Sequence, residues 1–253
     1  MPNYDYDIGV IGGGAGGLTV TAGAAQLGAK TLLVEKENEL GGDCLHFGCV
    51  PSKTLIKSAH VYHLMKNSRK FGLPAMDPPR VDFREISKRI RSVIATIQLH
   101  DSEERFCKLG AQVEFGQPTF ADEHSIRLNG NIYSAKAWVI ATGSSASVPS
   151  IKGLAETPHI TNKEIFYLDR LPESMVILGG GPIGSEMSQA FNRLGTRVSL
   201  VDMAPQILGK EDPDMADLVR DVLSSEGVKF YLNSAIEEVM DRGSEKEVRI
   251  KTK

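Results

Sequence analysis

Two cysteines, Cys44 and Cys49, lie five residues apart in a glycine-rich stretch of the 253-residue chain. On an ideal α-helix such residues have Cα atoms about 8.6 Å apart, whereas a disulfide requires roughly 4.4–6.8 Å. If the pair is oxidised, the backbone between them must depart from a regular helix, and Gly48 permits this. From spacing alone the pair could form a redox-active disulfide, belong to a metal site or be two unrelated buried thiols.

The surrounding residues argue against the last two alternatives. Zinc usually takes four protein ligands, and only His46 and the distant Cys107 are obvious additions, so we expect no metal. The flanking glycines and the Pro-Ser-Lys stretch that ends at Lys53 are poor core sequence. Cys107 falls on the apolar side of a predicted helix, which favours a buried structural thiol.

A glycine turn precedes the cysteines. The first apolar run ends in a G-x-G-x-x-G pattern formed by Gly12, Gly14 and Gly17. A helical stretch follows, and the second apolar run ends at Glu35. Such glycines let the backbone approach a pyrophosphate at a helix N-terminus, and the acid can accept hydrogen bonds from ribose hydroxyls.

The same pattern returns 167 residues along the chain, from Gly12 to Gly179 and from Glu35 to Asp202. The glycines of the second copy are Gly179, Gly181 and Gly184. One such pattern is a weak signal, but two copies in matching contexts are specific. The sequence predicts two dinucleotide-binding domains, residues 1–150 and 151–253.

The segments between the two copies complete the predicted fold. A long amphipathic helix is predicted from a capping box at Asp82 and Glu85 to near Gly110. Short strands are then predicted over 112–115, 125–128, 131–134 and 138–141, with a hairpin turn at Asn129-Gly130. The fold class is therefore α/β: two Rossmann-like dinucleotide-binding domains with an inserted β-meander.

Composition excludes several classes of protein. Charged residues make up 24% of the chain and hydrophobic residues 41%, which is ordinary globular usage. A net charge of −3 offers no general basic field for nucleic acid or an anionic membrane. We find no run long and apolar enough to span a membrane and no secretory signal, and with three cysteines we expect a cytoplasmic protein.

Taken in order, these motifs resemble those of the class I pyridine nucleotide-disulfide oxidoreductases. The resemblance rests on both glycine fingerprints, on Gly-Gly before Cys44-x4-Cys49-Val-Pro-Ser-Lys53, on Ala-Thr-Gly at 141–143 and on Glu186. It covers nearly the whole chain, and the cysteine motif is highly specific.

The resemblance implies a role for each of these residues. The first fingerprint would bind FAD, with Glu35 on the adenosine ribose and with Gly116, Thr142 and Gly143 as further contacts. The second would bind a nicotinamide cofactor, whose adenine Ile236 would touch through its backbone. Cys44 would attack the substrate, nearer solvent, and Cys49 would lie beside the flavin. Lys53 would reach the flavin and pair with Glu186, which would make burial of the ammonium tolerable.

The implied activity is electron transfer between NAD(H), FAD and a redox-active Cys44–Cys49 disulfide, as in dihydrolipoamide dehydrogenases. The expected partners are a small-molecule disulfide or dithiol and a second copy of the chain in a homodimer. A mercuric-reductase-like enzyme is one alternative. An alternative of another class is a non-catalytic nucleotide-binding or redox-sensing fragment.

The choice of nicotinamide cofactor follows from the residues themselves. Asp202 ends the strand where a ribose 2′-hydroxyl would sit, and a carboxylate accepts from that hydroxyl and repels a 2′-phosphate. No Arg or Lys occurs between Asp202 and Lys210. We therefore expect NAD(H).

The sequence departs from the family pattern at Asp43, at His46-Phe47 and at Pro182. Family members also continue well beyond this length, into a dimerisation domain with an acid–base histidine. We therefore expect a chain truncated before that domain, with both nucleotide domains incomplete and little activity of its own.

Overall fold

A computed structural model describes residues 3–252 and contains an alternating α/β arrangement. The helices are α1 (Ala15–Gln26), α2 (Gly42–His46), α3 (Cys49–Lys66), α4 (Phe83–Gln98), α5 (Glu103–Lys108), α6 (Pro182–Leu194) and α7 (Pro213–Ser225). The strands are β1 (Tyr6–Ile11), β2 (Thr31–Glu35), β3 (Ala111–Phe115), β4 (Thr119–Phe120), β5 (Ser125–Leu128), β6 (Asn131–Ile140), β7 (Ser174–Leu178), β8 (Arg197–Val201), β9 (Lys229–Tyr231), β10 (Ser234–Asp241) and β11 (Lys246–Thr252). No helix within residues 3–252 is long and apolar enough to cross a bilayer.

The described residues divide into two compact units. The first comprises the residues up to Pro51 together with Arg91–Ala146, and the second comprises Ser52–Ile90 together with the residues from Ser147 onward. The predicted domains, residues 1–150 and 151–253, were defined by position along the chain. In the structure, the segment Ser52–Ile90 belongs instead to the second unit.

The first unit is built on a six-stranded sheet of order β3-β2-β1-β6-β5-β4. The strands β3, β2, β1 and β6 run parallel to one another, whereas β5 pairs antiparallel with both β4 and β6 to form the meander that the sequence predicted. Two apolar clusters form the core: one includes Val10, Leu33 and Phe106, and the other includes Leu32 and Ile126.

The second unit repeats the start of the first. Its parallel sheet has the order β7-β8-β9, and α6 connects β7 to β8. The register of β7 and β8 pairs Met175 with Val198, and that of β1 and β2 pairs Ile8 with Thr31, again 167 residues earlier. An antiparallel β10–β11 hairpin follows. The fold class predicted from the glycine patterns is confirmed.

The long helix predicted from Asp82 to Gly110 is wrong, because it is broken into α4 and α5. Ser102 caps the second helix by accepting a hydrogen bond from the backbone N–H of Arg105. In this short helix Phe106 is the fully buried side chain, and Cys107 is exposed. The expectation of a buried Cys107 is therefore also wrong.

A single strand, β6, replaces the two strands predicted over 131–134 and 138–141. The ring of Trp138 lies across Gly9 of β1, where an added Cβ would come within 2.3 Å of the indole carbons. The indole N–H donates to the carbonyl of His124 at 2.9 Å. Phe120 meets the same ring edge-on, with centroids 5.9 Å apart.

A nearly buried ion pair joins α6 to the end of α7 in the second unit. Arg193 Nε and Nη2 donate to the two carboxylate oxygens of Glu226 at 2.7 and 2.5 Å. The side chains are only 14% and 11% exposed. Burial acts to raise the pKa of Glu226, but the hydrogen bond and positive charge of Arg193, together with His63 and Gln189, outweigh it and lower that pKa.

We expect Glu226→Gln to reduce the free energy of unfolding at pH 7 by roughly 3 kcal/mol, since it leaves a buried guanidinium without its counter-ion. Because the folded-state pKa is depressed, this stabilisation is fully present above the ordinary value of 4.5 and is lost progressively as the pH falls from there through the lowered folded-state pKa. Urea denaturation at pH 7 and pH 3.5 measures the difference in free energy of unfolding between this variant and the unaltered protein. That difference should be smaller at the lower pH. Asp217→Asn, in an exposed pair on α7, is the control and should have little effect. An equal loss at both pH values would contradict the assignment.

Candidate functional site

The first glycine turn joins β1 to α1 through positions that only glycine can occupy. Gly12 has φ +108°, and a Cβ there would lie 2.3 Å from the carbonyl oxygen of Ala141. At Gly17 a Cβ would lie 1.7 Å from the carbonyl oxygen of Gly12, which forces strand and helix into close contact. Gly14 is the N-cap of α1 and has no side chain to cap the first N–H groups. These N–H groups are therefore available to an anion.

The second glycine turn, between β7 and α6, has the same construction. Gly179 has φ +103°, and a Cβ at Gly184 would lie 2.0 Å from the Gly179 carbonyl oxygen. Gly181 is the N-cap of α6, and Pro182 occupies its first turn without loss of a needed N–H donor. Neither α1 nor α6 carries an acidic residue in its first turn.

Each turn holds the acid predicted for it. Glu35 is 6% exposed, and its Oε2 accepts a 2.6 Å hydrogen bond from the backbone N–H of Gly13. Asp202 Oδ2 accepts from Gly180 N–H, also at 2.6 Å. Both carboxylates therefore lie at their glycine turns, and their contact with a ribose stays a prediction.

Sequence reasoning missed the middle glycines, Gly13 and Gly180, which donate these hydrogen bonds. The signal was present, because both turns begin with three consecutive glycines, Gly12–Gly14 and Gly179–Gly181. The G-x-G-x-x-G pattern leaves the residue type at the middle position undefined, so the pattern assigns no role to Gly13 or Gly180.

The further contacts predicted for the first turn lie beside it. Gly116, with φ +144°, donates its backbone N–H to the carbonyl of Glu35 at 2.8 Å. Thr142 follows the β6 terminus, and its Cα would lie 3.2 Å from a Cβ at Gly12. Gly143 has φ +68° and continues this loop. Gly116 and Thr142 therefore border the turn or its acid, and contact of Gly143 with a cofactor stays a prediction.

Ile236 lies in β10, at the point where the register with β11 shifts. Two residues earlier, Ser234 N–H donates to the carbonyl oxygen of Asp202 at 2.9 Å. The start of β10 is thus joined to the second acid, and contact of Ile236 with a nucleotide stays a prediction.

The two cysteines lie on either side of a helix break, the arrangement that their spacing would require of a disulfide. Cys44 belongs to α2 and Cys49 begins α3, and the chain changes direction at Phe47 and Gly48. A Cβ at Gly48 would lie 3.0 Å from the carbonyl oxygen of Asp43, so glycine brings the two helix ends together. Both residues stand as thiols, and their side chains are hydrogen-bonded to each other.

Burial raises the pKa of the Cys44 thiol, and the side-chain hydrogen bond with Cys49 raises it further. A backbone hydrogen bond from Cys49 acts in the opposite direction. Cys44 is half-buried and Cys49 is exposed. The expectation that Cys44 is nearer solvent is therefore wrong, because Cys44 lies within α2 whereas Cys49 occupies the exposed first position of α3.

Lys53 and Glu186 form the ion pair that the resemblance implied. Lys53 Nζ lies 2.7 Å from both carboxylate oxygens of Glu186. The expected burial of this ammonium is wrong, because the two side chains are 61% and 37% exposed. The pair lines a surface recess of about 410 Å³ with Ile56, Lys57, His60 and Gln189.

The residues present fit two dinucleotides. Each turn combines an uncapped helix N-terminus for a pyrophosphate with an oriented carboxylate for a ribose. Each carboxylate has about four lone-pair positions, so the backbone bonds leave acceptor capacity for hydroxyls. Within residues 3–252, no three His, Cys, Asp or Glu side chains converge as a metal-binding group.

Comparison with known proteins agrees with this arrangement. The family model described as pyridine nucleotide-disulphide oxidoreductase matches residues 6–253. A mercuric reductase of Bacillus cereus is 31% identical over 98% of this chain and 39% of its own length. A dihydrolipoyl dehydrogenase of Acholeplasma laidlawii is 35% identical over 94% of this chain and 71% of its own length.

Among solved structures, the HOCl-induced flavoprotein disulfide reductase RclA from Escherichia coli superimposes with a TM-score of 0.83 and 28% identity. The match covers 96% of this chain and 53% of that one. The family match extends over nearly all of the chain and includes both glycine turns and the cysteine pair. The chain belongs to the pyridine nucleotide-disulphide oxidoreductase family.

Proposed function

We propose that the protein is a flavin-dependent disulfide oxidoreductase that passes electrons between NAD(H), FAD and a Cys44–Cys49 disulfide. The observation that carries the proposal is the contact between the two thiols across the α2–α3 break. The overall reaction is NADH + H⁺ + RSSR → NAD⁺ + 2 RSH, and it runs in reverse with a dithiol substrate.

The two cysteines divide the exchange chemistry between them. The Cys44 thiolate attacks one substrate sulfur, which forms a mixed disulfide and releases the first substrate thiol. Cys49 then attacks the Cys44 sulfur, so the Cys44–Cys49 disulfide forms and the second thiol leaves. FAD, which the first glycine turn and Glu35 would hold, would supply the electron transfer between NADH and this disulfide.

We assign residues 1–150 to FAD and 151–253 to NAD(H). The first turn and Glu35 would hold FAD, with Gly116, Thr142 and Gly143 beside them. The second turn, Asp202 and Ile236 would hold NAD(H). We further propose a cytoplasmic homodimer acting on a small-molecule disulfide or dithiol.

Anaerobic reduction tests this function directly. The purified protein should show a flavin spectrum, and NADH should bleach it and expose two additional thiols per chain in a thiol assay. Cys107→Ser, at an exposed position, should leave that gain unchanged. A bound flavin with no change in thiol count would favour the nucleotide-binding or redox-sensing alternative.

A metal-ion reductase is the second candidate. Several similar proteins are mercuric reductases, and a solved relative is a Cu(II) complex of RclA. Vicinal thiols suit soft metal ions. Oxidation of NADH that depends on Hg(II) or Cu(II), in the absence of a disulfide, would select this candidate.

The exposed Lys53–Glu186 pair should matter for activity far more than for stability. We expect Lys53→Met to change the free energy of unfolding by no more than ~1 kcal/mol, because exposed pairs contribute little. It should lower kcat by at least ~10-fold, because the ammonium would stabilise negative charge on the reduced flavin. Steady-state kinetics and thermal denaturation measure the two effects. Lys57→Met, one turn further on α3, is the control, and equal kinetics for both variants would refute the role.

A further inference from the structure

The loop after each second strand folds back onto the glycine turn. Five residues after each acid lies a buried aliphatic side chain: Leu40 follows Glu35, and Ile207 follows Asp202. Both are 1% exposed. They cover the middle glycines, because a Cβ at Gly13 would lie 2.6 Å from Leu40 and one at Gly180 would lie 2.9 Å from Ile207.

A backbone hydrogen bond closes each loop one residue later. Gly41 N–H donates to the carbonyl oxygen of Gly13 at 2.8 Å, and Leu208 N–H donates to that of Gly180 at 2.7 Å. Both donors have positive φ, +115° and +51°. Leucine rarely adopts this conformation. Leu208 of the second unit nevertheless keeps a positive φ and the hydrogen bond to Gly180, although its side chain disfavours this backbone conformation.

Each acid also accepts a backbone hydrogen bond on its other carboxylate oxygen. Glu37 N–H donates to Glu35 Oε1 at 2.8 Å, and Ala204 N–H donates to Asp202 Oδ1 at 2.7 Å. Together with the middle glycine, each carboxylate thus receives one backbone N–H on each oxygen. Each of these contacts in one unit has its counterpart 167 residues away in the other.

We propose that Leu40 and Ile207 are positioning residues for the two ribose-binding acids. Each of these side chains packs the loop that follows the acid against the middle glycine. The N–H of that glycine then holds the carboxylate in one orientation. The unused lone pairs then face the two hydroxyls of an adenosine ribose. This inference rests on the proposed function, namely that the first turn binds FAD and the second NAD(H).

Matched substitutions in the two units test the inference by calorimetry on the apoprotein. Ile207→Ala should weaken NADH binding by at least ~10-fold, because a displaced carboxylate loses aligned hydrogen bonds, and should leave FAD binding unchanged. Leu40→Ala should weaken FAD binding and leave NADH binding unchanged. The conservative variants Ile207→Leu and Leu40→Ile should restore most of the affinity. Loss of both cofactors in either variant, or of neither, would overturn the inference.

Two further variants separate this inference from the proposed function. If Asp202→Asn leaves NADH binding intact, the second turn is not the NAD(H) site and the proposed function fails there. If Asp202→Asn weakens binding and Ile207→Ala does not, only the positioning role fails. Should Ile207→Ala fold poorly, Ile207→Val removes a single methylene and should give an intermediate loss of NADH affinity with unchanged FAD binding.

Discussion

Cys44→Ser is expected to lower kcat/KM for NADH-dependent disulfide reduction by at least ~10³-fold, the scale of losing a covalent nucleophile. A serine hydroxyl cannot form the mixed disulfide, so turnover should stop before the substrate is cleaved. Cys49 would remain as a thiol able to carry charge beside the flavin. The long-wavelength absorbance of the reduced protein should therefore survive this substitution.

Cys49→Ser should be equally inactive for a different reason. Cys44 can still attack the substrate, but nothing resolves the mixed disulfide, so one substrate half stays attached to each chain. Intact-protein mass spectrometry detects that adduct, and the long-wavelength absorbance should be absent. Cys107→Ser is the matched control and should behave as the unaltered protein. Full turnover by Cys44→Ser or by Cys49→Ser would show that the two cysteines do not form a redox-active disulfide.

The preference for NADH over NADPH is expected to be about 10- to 100-fold in kcat/KM, equivalent to ~1–3 kcal/mol. Backbone N–H groups of Gly180 and Ala204 fix the Asp202 carboxylate. A 2′-phosphate would meet this negative charge at close range, whereas a 2′-hydroxyl can donate to it. Asp202→Asn should lower kcat/KM for NADH and reduce the ratio of kcat/KM for NADH to that for NADPH.

Glu35→Gln provides the comparison for that experiment. It alters the corresponding acid of the first unit, so it should weaken FAD retention and leave the ratio of NADH to NADPH unchanged. Steady-state kinetics with both cofactors under FAD saturation measure the ratio. Equal kcat/KM values for NADH and NADPH in the unaltered protein would show that Asp202 is not the selector.

The features that the sequence predicted well are those set by short-range geometry. A glycine turn, a helix and a strand of fixed lengths place Glu35 and Asp202 at the same distance from their turns, so matched spacing was enough. The break between Cys44 and Cys49 followed in the same way from the reach of a disulfide. The Lys53–Glu186 pair joins residues 133 positions apart, and only resemblance could suggest it.

The errors have physical causes outside any local pattern. The segment Ala135–Ala137 has weak strand propensity, but it pairs with β1 along the sheet and so joins two predicted strands into β6. The predicted long helix stops at Gln98, and α5 begins after its own cap at Ser102, so the helical periodicity that placed Cys107 on an apolar side does not continue to it. Leu40 and Ile207 carry no motif, and their importance appears only when the loops are folded onto the middle glycines.

Trp138 is the only tryptophan in the chain, and its ring lies against Gly9 inside the first unit. Its fluorescence therefore monitors that unit alone, whereas far-ultraviolet circular dichroism reports on the helices and strands of both. If the two signals change at different denaturant concentrations, the units unfold independently. Emission should also be quenched by energy transfer when a flavin binds the first unit, which turns one packed indole into a sensor of cofactor occupancy.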